Sequence, residues 1–151
     1  MRQIPIAAIM PVITVLLFWT FLPSTFAVND SADYFAYYAP MAHGLLQGKA
    51  LDDLGPNALA VPPGYTTCLT LVFLAAQTLN IPEALALHLF TLLCLCTASM
   101  LLYSIAHDIW GPTFSLAASG FFAAHPFVLW LTKQPNSETA FLAVLALSFL
   151  L

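Results

Sequence analysis

Long runs without a formal charge constrain this chain more than any other feature. Residues 3–29, 54–82, 84–106 and 113–132 contain no Asp, Glu, Lys or Arg, and a fifth such run opens after Glu138. A helix advances about 1.5 Å per residue, so the apolar stretch 4–28 reaches about 37 Å, against a hydrocarbon core of about 30 Å. Residues 84–106 and 113–132 are also long enough to cross. A soluble domain carries about 25% charged residues; here 7% are charged and 61% are hydrophobic. Three basic and seven acidic side chains cannot hydrate the surface of a water-soluble fold. The expected class is therefore all-α, a polytopic transmembrane helical protein.

The runs differ in kind. Thr25-Phe26-Ala27 faintly resembles a signal-peptidase site, but secretory apolar regions span only about 7–15 residues, so 4–28 reads as an uncleaved anchor. The second run is interrupted by Pro62-Pro63-Gly64, which cannot sit in a lipid-exposed helix without stranding backbone groups. The segment after this break, 65–79, reaches about 22 Å as a helix, short of the core, and suits an interfacial or re-entrant placement. The expected organisation is helix 4–28, an extracytoplasmic loop with interfacial helices over 29–83, and helices 84–106, 112–132 and 138–151. The last is cut off at Leu151, so the chain 1–151 is expected to be the N-terminal part of a longer membrane domain.

Polar and aromatic residues concentrate in 29–53. Asn29 or Asp30 can cap a helix from Ser31. Tyr34, Tyr38, Met41 and Leu45 recur every three or four residues as one stripe, with Pro40 expected to bend or interrupt it. Tyr34, Phe35, Tyr37 and Tyr38 suit headgroup depth. Gly48-Lys49 then turns the chain into Asp52-Asp53. Arg2 favours a cytoplasmic N-terminus under the positive-inside rule. With a net charge of -4 and three basic residues, the chain cannot neutralise a run of phosphates, which excludes nucleic acid as a partner. Cys68, Cys94 and Cys96 read as small apolar packing residues. His88 and His125 read as histidines satisfied by a neighbouring helix. Asp52-Asp53 supplies too few oxygens for a cation needing about six, so no metal and no other cofactor is expected.

Three acids invite chemistry. Asp30 and Asp33 follow the first helix, where they can either cap and hydrate an interfacial helix or act on substrate. Glu138 heads an uncharged apolar run, where an acid is either an N-terminal cap or a functional group. If 65–79 does not cross, the next two runs go in and return, and Glu138 emerges on the same face as Asp30.

Taken together, Asp30-Ser31-Ala32-Asp33-Tyr34, Val61-Pro62-Pro63-Gly64-Tyr65 and Asn136-Ser137-Glu138-Thr139 resemble, in order and approximate spacing, the start of the GT-C glycosyltransferases. Among these the protein O-mannosyltransferases and the lipid A aminoarabinose transferases are most similar. The resemblance implies transfer of a sugar from a polyprenyl-phosphate donor to an acceptor hydroxyl at the extracytoplasmic face of a bacterial inner (plasma) membrane. It implies Asp30 as general base and Glu138 as a second catalytic acid in the same cavity. Asp33, Tyr34, Lys49 and Tyr65 would contribute to substrate binding. The pattern departs from the family where Ser31 replaces a second acid and where Val61 replaces a basic residue, a place Lys49 could fill. The basic residues of later helices are missing, so the chain alone is expected to be inactive. Rival readings are a transporter or channel component, and a non-catalytic membrane remnant.

Overall fold

The computed structural model describes residues 4–21, 33–54, 61–133, 135 and 137–149. Every regular element among them is helical: α1 (Ile4–Phe21), a π-helical turn (Tyr34–Tyr38) leading into α2 (Ala39–Leu46), a 3-10 turn (Leu51–Leu54), α3 (Pro63–Leu79), α4 (Glu83–Trp110), α5 (Pro112–Ala124), α6 (Pro126–Leu131) and α7 (Glu138–Ser148). One of them, α4, is long and apolar enough to cross a membrane, with 28 residues and a mean hydropathy of 2.1 in its best window. The chain divides into two compact units, Asp30–Phe90, and Met1–Asn29 with Thr91–Leu151.

In the second of these, α1 packs on α5 and touches α6. Ala7, Pro11 and Val15, four residues apart, form the buried stripe of α1, while Ile6, Ile9, Ile13, Leu16 and Leu17 stay exposed. On α5 the buried positions are Ser115, Ser119 and Ala123. Small side chains at these contacts let helix backbones approach closely. Val15, Leu95 and Val128 form the apolar centre, with Trp19, Leu92, Phe122 and Leu129 around them.

Proline shapes this unit through the carbonyls it strands. Pro11 lies within α1. It has no N–H to offer the carbonyl of Ala7, four residues back. That carbonyl instead accepts from Ser99 Oγ at 2.9 Å, and the Ser99 carbonyl accepts from Ser119 Oγ at 3.3 Å. A single helix was expected over 112–132; the chain forms two, because the residue before a proline avoids the helical region. His125, at φ -66° and ψ 127°, is extended and ends α5 before Pro126 starts α6. The Phe127 N–H turns to His125 Nδ1 at 3.2 Å. The carbonyl it would have met in a continuous helix, Ala123 O, lies 3.2 Å from Thr14 Oγ1. That hydroxyl has one proton, which it shares with the Met10 and Pro11 carbonyls at 3.0 and 3.1 Å.

The unit Asp30–Phe90 is built differently. Tyr34, Tyr38, Met41 and Ala42 are buried against α3, whose Tyr65, Leu69, Phe73 and Ala76 form its own inward stripe. The expected stripe of 34, 38, 41 and 45 thus faces inward, Leu45 being half-buried. Pro40 does not stop the helix. The turn before it widens, with the Ala39 N–H bonded five residues back to Tyr34 O, and α2 continues to Leu46. Pro62 is extended, at φ -59° and ψ 129°, and Pro63 opens α3, as a proline pair should. Asn80, at φ 53°, closes α3 in the left-handed region, its neighbour Ile81 donating to Ala76 O at 3.0 Å.

Candidate functional site

Asp30 falls outside the described residues, and with it the expectation that Asp30 and Glu138 share a cavity. Asp33 stands at the head of the π turn, exposed, with no side-chain cap to the following amides. Tyr34, next along, is buried. Its phenol is pushed up to about 12, first by desolvation and second by the negative charge of Glu83. A phenol held that far above neutrality stays protonated, so Tyr34 offers an O–H donor and no phenolate. Lys49 is exposed beyond the end of α2, and Tyr65 is buried in the first turns of α3.

The tyrosines join the two ends of the loop. Tyr38 meets Tyr65 edge to face, with ring centroids 4.9 Å apart and planes at 89°, the geometry that sets the positive edge of one ring against the negative face of the other. Asp33-Tyr34 and Pro62-Pro63-Gly64-Tyr65, separated by some 30 positions in the sequence, are thereby parts of one packed unit. Glu138 belongs to the other unit. It is exposed at the first position of α7, where Ser137 makes no side-chain cap and the Glu138 carboxylate faces the positive end of the helix dipole.

Two groups escaped the reading of the sequence. Glu83 heads α4 as Glu138 heads α7, so the signal that singled out Glu138 applies to it equally. Its Oε2 lies 3.5 Å from His43 Nε2, and the imidazole stacks on Phe73 at 4.6 Å between centroids with planes 14° apart. Lys133, the first charge after the run 113–132, is 9% exposed. Its ammonium sits 5.4 Å from the Phe18 ring centroid, within cation–π reach, beside a hydrogen bond from Trp19 Nε1 to Thr132 Oγ1 at 3.2 Å. Backbone of the same helix engages each of the two histidines: His88 Nδ1 lies 2.6 Å from Ala84 O, and His125 Nδ1 accepts from Phe127 N–H. Among the described residues no three His, Cys, Asp or Glu side chains converge as metal ligands would.

No family model, curated protein or solved structure matches this chain.

Proposed function

We propose that the protein carrying this chain is a polytopic membrane glycosyltransferase that takes its sugar from a polyprenyl-phosphate donor at the extracytoplasmic face. The observation that carries this reading is the Tyr38–Tyr65 contact, which packs the segment after the first helix onto the proline-started helix α3. A lipid-linked donor holds its reacting carbon at headgroup depth, so the site must be assembled from interfacial helices rather than from the middle of a span. The apolar exterior supports the membrane setting: Ile9, Leu17, Leu93, Phe114, Phe121 and Phe141 are all exposed, as suits lipid-facing side chains. Charge placement argues against a transporter, whose ionisable groups lie on broken helices near the bilayer midplane. Here, among the described residues, Asp33, Lys49, Asp53, Glu83, Asp108, Lys133 and Glu138 all sit at helix ends or in turns.

In the reaction, a carboxylate takes the proton of the acceptor hydroxyl as its oxygen attacks the anomeric carbon. The bond from that carbon to the lipid phosphate oxygen breaks, and the phosphate departs with the electron pair. The configuration inverts. Asp30 is the proposed base and Glu138 the proposed second catalytic acid. Asp33, Tyr34, Lys49 and Tyr65 are the proposed binding residues, Tyr34 as a hydrogen-bond donor.

The test is transfer from a radiolabelled polyprenyl-phosphate sugar in membranes containing the protein. Asp30→Asn keeps size and hydrogen bonding but removes the basic carboxylate, and activity should fall by about 100- to 10,000-fold. Activity within a factor of about two of the wild type would remove Asp30 from the role, and absence of transfer from any such donor by the wild type would remove the reading itself.

A further inference from the structure

The imidazole of His43 touches two helices besides its own. It lies in the last turn of α2, its face is stacked on Phe73 of α3, and its Nε2 is 3.5 Å from the carboxylate of Glu83, the first residue of α4. Both side chains are 42% exposed, so protons reach the pair from solvent. Helix ends favour opposite charges, cations at the C-terminus and anions at the N-terminus. His43 and Glu83 are placed so that both ends favour the ionic form of the pair.

We propose that His43 is a proton-operated latch, which in its protonated form ties the end of α2 to the start of α4 across Phe73. With the proton on, an imidazolium faces a carboxylate. With it off, the ion pair is gone and the ring is held by stacking and at most a long hydrogen bond. Imidazole ordinarily changes charge between about pH 5 and pH 8, so the latch is closed on the acid side and released as pH rises. Other ionisable groups lie on the surrounding elements. Tyr34, beside Glu83, stays neutral throughout that range. The Asp53 carboxylate accepts from Ala50 N–H at 3.3 Å. Tyr65 packs on Tyr38, and His88 is turned to Ala84 O. Asp33 and Lys49 are exposed, and Cys68 is half-buried on α3. The latch is independent of the transferase reading and stands or falls without it.

Hydrogen exchange tests it in the intact chain, at about pH 5.5 and about pH 8, corrected for intrinsic exchange rates. The reporters are the Gln47 and Lys49 amides that close α2 onto His43 O and Gly44 O, and the Ala86 amide that opens α4 on Pro82 O. In the wild type, their opening should increase on the order of two- to five-fold from the acid to the alkaline condition, the scale of a half-exposed ion pair. Glu83→Gln removes the charge partner and His43→Phe keeps a flat ring on Phe73 without a proton. Both should show no such increase. A wild type whose protection does not change with pH, or a Glu83→Gln variant that keeps the full change, would overturn the proposal.

Discussion

Pro11 and Pro40 both sit within helical segments, one in each compact unit, and the missing N–H is resolved in opposite ways. Around Pro11 the α1 helix runs on unchanged and the stranded Ala7 carbonyl is met by a hydroxyl 92 positions away in sequence. Around Pro40 the backbone itself adjusts, widening to a π turn before the ring, a device helices use at single turns. The first solution makes a local irregularity depend on distant packing; the second keeps it local. The surroundings show the same division. The unit Met1–Asn29 with Thr91–Leu151 is stitched by Ser99, Ser119 and Thr14 hydroxyls onto carbonyls of other helices. The unit Asp30–Phe90 relies on interlocked rings, Tyr38 on Tyr65 and His43 on Phe73.

If that contrast is right, the ring-packed unit should fail most severely when its central ring is removed. Phe73 is 0% exposed, and Phe73→Ala should destabilise the unit by about 3–5 kcal/mol, read as lost amide protection in α2 and α3. A loss below about 1 kcal/mol would mean the rings are not what holds it.

Ser99→Ala probes the stitched unit. It leaves the Ala7 carbonyl buried and unpaired, and should cost about 1–3 kcal/mol in equilibrium unfolding. Pro11→Ala in the same background supplies the N–H that α1 lacks at that point, and should recover more than half of the loss. A double variant no more stable than Ser99→Ala alone would break the link between the proline and the hydroxyl. The smallest effect belongs to Trp19→Phe, which keeps an aromatic but smaller ring and removes the donor to Thr132 Oγ1. The lost hydrogen bond should cost about 0.5–1.5 kcal/mol, with the smaller ring's lost packing against the Val15, Leu95 and Val128 centre added to it.

Much of the fold could be read from residue order alone. Apolar runs bounded by charge marked the helices, the 34–38–41–45 spacing marked an inward face, and Pro62-Pro63 marked the start of α3. The break at His125 was equally open to reading, since Pro126 comes next. Charge and length alone make 112–132 one span, and the constraint on the residue before proline divides it. The site was less accessible. Tyr34 and Tyr65 were named for their motifs, but their membership of one packed unit depends on how α3 lies against α2, which no local pattern encodes. The same holds for the meeting of His43 and Glu83, and for the pairing of Ser99 with Ala7.

The backbone also decides where the hydrogens of two histidines reside. In a neutral imidazole one nitrogen donates and the other accepts. His88 Nδ1 faces a carbonyl oxygen at 2.6 Å and must carry the proton, which turns its Nε2 into an acceptor. His125 Nδ1 faces the Phe127 N–H and must be bare, so its proton resides on Nε2. As neutral imidazoles the two rings are therefore opposite tautomers. His125 presents a donor where α5 gives way to α6, and adding a second proton there would remove the acceptor that Phe127 N–H relies on.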